Sequence, residues 1–204
     1  MKYISLLRGI NVSGKNTIKM VELKSLYESL GFTDIITYIQ SGNVVFNSNK
    51  KDKAKLEETI EDAIEAEYKF RVPVNIRSKD EFKNIIAKNP FGTIDPVKDG
   101  TKFLVTFLYS KPALKLIAEL QNYVVKPEQL VAESKQLYLY CPNGYGKSKL
   151  SNTFIERKLG VKATTRNWKS VCNLYDLSIW DYPTTICAIL SLFKNTVIFL
   201  VLSS

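Results

Sequence analysis

The chain of 204 residues contains no histidine. That single absence excludes a Ser-His-Asp triad, a Cys-His pair and any zinc site built on imidazole, which removes most of the common hydrolase chemistries. Cysteine is scarce too. Cys141, Cys172 and Cys187 are an odd number with no C-x-x-C spacing, so the expectation is buried thiols in a reducing, cytoplasmic compartment rather than a disulfide framework. Glycine and proline number only 9 and 7 beside 45% hydrophobic residues, which excludes disordered and collagen-like chains. The opening Met-Lys-Tyr-Ile-Ser-Leu-Leu-Arg-Gly has too short an apolar run for a signal peptide. Long hydrophobic runs are missing until the end, where Ile186 to Leu202 is nearly all apolar apart from Lys194-Asn195. A bilayer tolerates a central lysine badly. Two strands, 188–193 and 196–202, around a Lys-Asn turn fit the β-branched content better, with a packed helix or a tail anchor as the other readings. No membrane partner is expected apart from this tail.

Positive charge is what the chain has in excess. Lysine plus arginine total 29 against 20 aspartate plus glutamate, a net +9, and the imbalance is local. Residues 1–100 carry 16 basic and 14 acidic side chains, whereas residues 101–175 carry 12 and 4. Such a field attracts phosphates, nucleic acid or acidic surfaces, although the same lysines also serve solubility.

The hydrophobic pattern repeats once. Residues 3–9 read as a strand and Met20 to Leu30 as a helix, followed by two strands, Ile35–Gln40 and Val44–Asn47, around a Ser41-Gly42 hairpin. A helix from Asp52 to Tyr68, a strand at Val74–Arg77 and a short helix from Lys79 to Lys88 complete the first half. After a Pro- and Gly-bearing stretch the order returns: strand Lys102–Tyr109, helix Pro112–Gln121, strands Leu130–Glu133 and Leu137–Cys141, helix Leu150–Leu159, strand Val161–Thr165 and helix Asn167–Leu177. Twice βαββαβ plus a helix predicts an α+β fold of two tandem ferredoxin-like units, each followed by an extra helix. The boundaries are 1–90 for the first unit, 91–101 for a linker, 102–177 for the second unit, and 178–204 for the apolar extension.

In that plan each sheet has the order 4-1-3-2, so the loop after strand one and the hairpin share one end. The exits of strands three and four share the other. In the first unit the shared end gathers Arg8, Asn11, Lys15, Gln40 and Asn43 on glycine-bearing backbone, either as a ligand cluster or as two polar turns satisfying each other. In the second unit the opposite end gathers Gly144, Gly146, Lys147, Ser148 and Lys149 with Arg166. Backbone donors, a helix N-terminus, lysines and an arginine fork together suit a phosphate or carboxylate. The loop is not a Walker A motif, because Cys141 stands where its first glycine belongs. Phe103, Phe107, Tyr109, Tyr138 and Tyr140 alternate on strands one and three of the second unit. They read as core or inter-unit packing, with a base-stacking platform as the alternative. Glu57, Glu58, Glu61, Glu65 and Glu67 read as a solvated helix face.

Leu7-Arg8-Gly9-Ile10-Asn11-Val12, Tyr38-Ile39-Gln40-Ser41-Gly42-Asn43-Val44, Asn89-Pro90-Phe91, Gly146-Lys147-Ser148-Lys149-Leu150 and Thr164-Thr165-Arg166-Asn167-Trp168 together resemble domain-of-unknown-function family 1697, a family of small bacterial proteins. The resemblance covers residues 1 to about 177 and implies two ferredoxin-like units in tandem. It implies no catalytic residue. Past Asp176 the chain departs from the family pattern.

The reading that results is a non-enzymatic module binding an anionic small molecule, phosphate-bearing or a nucleotide, in its basic second half, with no cofactor and no metal. The alternatives are a nucleic-acid binder using the strand aromatics, an enzyme on a small phosphorylated substrate, and a self-associating module using the tail.

Overall fold

The structure is a computed structural model and describes residues 1–12 and 14–180. The two expected C-terminal strands lie outside the described residues. In the first half the elements are β1 (Lys2–Leu7), α1 (Met20–Ser29), β2 (Thr33–Tyr38), β3 (Asn43–Asn47), α2 (Lys53–Tyr68), β4 (Val74–Ser78) and α3 (Lys79–Ala87). The second half has β5 (Phe103–Leu108), α4 (Leu114–Gln121), β6 (Gln129–Glu133), β7 (Gln136–Tyr140), α5 (Asn152–Leu159), β8 (Ala163–Asn167) and α6 (Trp168–Ile179). The fold is thus a mixture of helices and two four-stranded antiparallel sheets, with the orders β2-β3-β1-β4 and β6-β7-β5-β8.

Helix ends are marked by side chains that satisfy otherwise orphaned amides. Asp52 accepts from Lys55 N at the start of α2, Ser78 and Glu81 form a reciprocal capping box on α3, and Asn167 accepts from Ser170 N on α6. The last strand and its helix thus sit two residues and one residue later than their periodicity suggests. Helix α6 runs on to Ile179, past the expected boundary at 177, and Ser178 in its last turn is buried with its hydroxyl donating to the Tyr175 carbonyl.

Strand alternation divides the apolar residues among three cores. Tyr3, Leu7, Val44 and Phe46 face α1 and α2. Leu104, Leu108, Leu137 and Leu139 face α4 and α5. Between the sheets lie Ile4, Leu6 and Val45 against Val105, Phe107 and Tyr138, together with Phe82 and Ile85 of α3 and Trp168, Val171 and Leu174 of α6. The two inner faces and both extra helices therefore share one core. The stretch after α3 joins it as well, through Ile94 and Phe91, and Phe91 packs on Phe103 with ring centroids 5.4 Å apart.

The second-half aromatics belong to this interior. Phe107 stacks on Phe82, Phe103 stacks on Tyr140, and the Tyr138 hydroxyl donates to the Ile85 carbonyl at 2.8 Å. With Phe107 and Tyr138 closed over by the other half, no base-stacking platform is presented.

The solvated-face expectation for α2 fails at two positions. Glu61 is buried and accepts from Val74 N at 2.9 Å, and Glu57 accepts from Ile76 N at 2.7 Å. Both carboxylates bend over the outer edge of β4 and occupy amides that have no strand beside them. Glu58, Glu65 and Glu67 are exposed as expected.

Candidate functional site

At the exit of β7 the chain turns through Gly144, at φ 93°, into a single 3-10 turn, Tyr145–Lys147. The hydroxyl of Ser148 donates to Glu128 Oε2 at 2.9 Å and accepts from Leu150 N at 3.1 Å, which fixes the end of the loop. Underneath, the Tyr145 hydroxyl reaches Thr165 Oγ1, which in turn donates to Asn152 at 2.6 Å. Gly144, Gly146, Lys147 and Lys149 are exposed, and neither lysine makes an ion pair among the described residues. Helix α5 starts only after Ser151, whose side chain caps Phe154 N. The loop therefore offers lysines on an exposed, internally braced turn rather than a bare helix N-terminus.

Arg166 does not belong to this loop. Successive strand residues alternate between faces, and Thr165 is the one facing the loop and α5. Arg166 faces the other sheet. Its Nε donates to Asn43 Oδ1, its Nη1 to Thr164 Oγ1 and the Thr165 carbonyl, and its Nη2 to the carbonyls of Leu7 and Ser41 at 2.8 and 3.0 Å. A guanidinium has five N–H donors, and all five are used. Burial among neutral acceptors pulls its pKa down to about 10. Arg166 has no donor left for a ligand and is a strut joining the two sheets.

The first-half cluster is also turned inward. Asn43 is buried, accepting from Arg166 while its amide donates to the Tyr38 carbonyl and Ser41 Oγ. Asn11, at φ 55°, donates to the carbonyls of Ile18 and Gln40 and accepts from Ile18 N, stitching the β1 exit to the hairpin. Gln40 itself is exposed and contributes its carbonyl, and Lys15 is exposed in the neighbouring loop. The hairpin is longer than the expected two residues, running from Ile39 to Gly42. Gly42 is required there: at φ 73°, an added Cβ would lie 2.6 Å from Ile10 Cδ1 and 2.7 Å from Leu7 Cβ.

Arg8 leaves its own sheet altogether. Its Nε donates to the Ala163 carbonyl at 2.8 Å and its Nη2 to Glu156, whose other oxygen accepts from Ala163 N. Arg8 and Glu156 thereby close the outer edge of β8 as Glu61 closes that of β4. An open cleft of about 380 Å³ lies at this junction, lined by Arg8, Pro73, Glu156, Gly160, Val161 and Lys162.

One residue that sequence reading did not single out completes the picture. Arg77 occupies the β4 position that Arg166 occupies on β8: it pairs with Ile4 on β1 as Arg166 pairs with Val105 on β5. Its Nη2 donates to the carbonyls of Leu108 and Lys135 in the other half, at 2.7 and 3.3 Å. Each half thus sends an edge-strand arginine to the strand-one exit and hairpin of the other. The signal was available: Val-Asn-Ile-Arg-Ser at 74–78 and Ala-Thr-Thr-Arg-Asn at 163–167 each end a strand and cap a helix. Tyr109, one of the expected strand aromatics, is half-buried. Its hydroxyl is buried beside Arg77, Arg166, Glu57 and Glu61, and burial raises its pKa well above the usual phenol range.

Among the described residues no helix is long and apolar enough to cross a membrane, and no cluster of acidic or cysteine side chains has the makings of a metal site. Cys141 and Cys172 are free thiols. No functionally curated protein matches the chain. Among solved structures it is similar to that of the conserved bacterial protein SP0830 from Streptococcus pneumoniae, at 26% identity and a TM-score of 0.66, over 86% of this chain and 97% of that one. The profile of a family described as protein of unknown function (DUF1697) matches residues 1–138, and the chain belongs to that family.

Proposed function

We propose that the protein is a non-enzymatic cytoplasmic module that binds an anionic, phosphate-bearing small molecule or nucleotide on the basic surface of its second half. In this reading its two halves are tandem ferredoxin-like units, divided at residues 91–101, and the landing site is the loop Gly144–Lys149. The observation that carries the reading is the pair of exposed lysines, Lys147 and Lys149, which make no ion pair among the described residues and stand on a turn braced by Tyr145–Thr165 and by the bond of Ser148 to the Glu128 carboxylate. They lie within a segment, 101–175, that holds 12 basic and 4 acidic residues. A braced loop loses little conformational freedom when an anion binds, and unpaired ammonium groups need not break an ion pair first. Arg166 and Asn43 set the relation between the two sheets and leave the ligand to the loop.

The experiment is a thermal-shift panel of inorganic phosphate, nucleotides and short oligonucleotides on the wild-type chain and on the Lys147→Ala/Lys149→Ala double variant. A ligand at 100 times its Kd raises stability by about 2.7 kcal/mol. The expected result is a rise in melting temperature that the double variant loses while its unliganded melting stays unchanged. A flat panel, or a double variant that keeps the whole shift, rejects the site. A shift confined to oligonucleotides that falls steeply with salt redirects the reading to nucleic acid.

A further inference from the structure

Two open sheets have four edge strands, and an edge strand with free amides and carbonyls is a template for another chain. Three of the four are visibly guarded. On β4 the outward amides of Val74 and Ile76 are taken by Glu61 and Glu57. On β8 the Ala163 amide is taken by Glu156 and its carbonyl by Arg8. Strand β2 is broken by a bulge between Thr33 and Ile36, where Asp34 sits at φ 51°; a bulge of this kind twists an edge away from pairing.

Strand β6 is the least guarded of the four. It pairs with β7 in unbroken register over all five residues, from Gln129↔Tyr140 to Glu133↔Gln136. The ladder parity fixes which backbone groups face outward. The Lys135 carbonyl accepts from Leu108 N, so odd-numbered residues of the β7 strand point to β5 and its even-numbered residues to β6. In β6, Gln129, Val131 and Glu133 then bond inward, and Leu130 and Ala132 present their N–H and C=O groups outward. One of those four groups is occupied, the Leu130 carbonyl, by the Gln121 side-chain amide at 2.8 Å. Gln129, Val131 and Ala132 are exposed, Val131 as an apolar residue with 37% of its surface open to solvent.

We propose that β6 pairs with β6 of a second copy of this chain, antiparallel about a twofold axis at Val131, joining two four-stranded sheets into one of eight strands. The strand is complementary to itself in that register. Leu130 of each copy meets Ala132 of the other as a hydrogen-bonded pair, which gives four new backbone bonds. The Leu130 carbonyl has a second lone pair, so Gln121 need not be displaced. The two Val131 residues meet as the close, non-hydrogen-bonded pair, in which side chains approach best. Glu133 of one copy faces Gln129 of the other, so no like charges stand opposite one another, and Glu133 keeps its ion pair with Lys88. A twofold, isologous contact of this type closes on itself and stops at the dimer.

The test is sedimentation velocity on the full chain across a concentration series, for wild type, Ala132→Pro and Val131→Lys. Proline at 132 removes an outward N–H that the intrachain ladder does not use, a position where edge strands accept it. Lysine at 131 sets two like charges together on the twofold axis. Expected is a concentration-dependent dimer in wild type, and monomer in both variants with unchanged circular dichroism. If Ala132→Pro fails to fold, Val131→Lys alone decides. A wild-type monomer throughout the series overturns the proposal. So does association that survives in the folded variants, which would point to the apolar segment after residue 180.

Discussion

Replacing Arg166 by methionine removes a side chain that bonds five acceptors, three of them across the boundary between the two sheets. Methionine fills a similar volume, so the change isolates hydrogen bonding and charge from packing. Two of the abandoned acceptors, the Leu7 carbonyl and Asn43 Oδ1, belong to residues with no exposure at all. Each stranded acceptor costs about 1–3 kcal/mol. The Ser41 carbonyl is close to water and the Thr164 hydroxyl can rotate, so they add little. Against this, the variant no longer buries a cation whose pKa is held near 10 by desolvation, which returns part of the loss. The net expectation is a destabilisation of about 2–4 kcal/mol. For a chain of this size that lowers the melting temperature by about 4–16 °C. Urea unfolding followed by circular dichroism reads it directly. Arg77→Met should cost less, since Arg77 donates only two bonds, both from Nη2. The pair Arg166→Met and Asn43→Ala should show a coupling of about 1 kcal/mol or more in a double-mutant cycle. Arg166→Met with wild-type stability, or an Arg77 variant that loses more, would refute the strut.

Other sites give sharper signs. Ile39 is a β-branched residue at φ 50° with its side chain exposed; Ile39→Gly should therefore stabilise the protein by about 0.5–1 kcal/mol in chemical unfolding, since the left-handed penalty exceeds glycine's entropic cost. Gly42→Ala should destabilise by about 2 kcal/mol or more, because its Cβ meets Ile10 and Leu7 inside contact distance. Glu61→Ala strands the Val74 amide and should cost about 1–3 kcal/mol, with Glu61→Gln recovering most of it through the retained acceptor. In alkali, burial holds the protons of Tyr27 and Tyr109 well beyond the usual phenol range and that of Tyr138 up to about 12. Their folded pKa values lie above the unfolded ones, so the stability they confer is complete below about pH 10 and is lost as pH rises further, by up to about 1.4 kcal/mol per pH unit for each tyrosine. Arg166 and Arg77 run the other way, their folded pKa values lying below the unfolded ones, but they are two groups against three. A urea midpoint that stays level above pH 10 would contradict this.

The element order was legible because each helix carries its own stop signals and each strand its alternation. Ser78-x-x-Glu81 announces the start of α3, and Gly160 the end of α5, without any tertiary information. The inner and outer faces of a strand were legible only as a pair. Val105 and Phe107 share one face and Leu104 and Leu108 the other, yet both faces are apolar, so nothing local says which one meets helices and which meets the second sheet. The aromatic set shows the consequence. Its face was known from spacing, and its burial depended on the other half being laid over it. The acidic run on α2 is the opposite case. Its charges look solvated in sequence because the β4 amides that Glu61 and Glu57 reach lie 13 and 19 residues away along the chain, outside the helical pattern, and only the assembled sheet brings amide and carboxylate together.

Arg166 departs from the expected loop site for the same physical reason. Gly-Lys-Ser-Lys and Thr-Thr-Arg-Asn do come to the same end of a sheet, as strand direction requires, but a strand has two faces and one position decides between them. Thr165 turns to the loop; Arg166 turns away. An arginine on an outward face with open solvent would have been free to receive a phosphate. On an inward face it must find acceptors within the protein, because an unsatisfied buried guanidinium is far costlier than the entropy of ordering a hairpin around it. Leu7, Ser41 and Asn43 supply them. The reciprocal placement of Arg77 shows that this is a property of the repeated plan and not of one basic segment. What the positive second half has left for an anion is then the charge that the plan does not consume, and the proposed loop carries two of those exposed lysines.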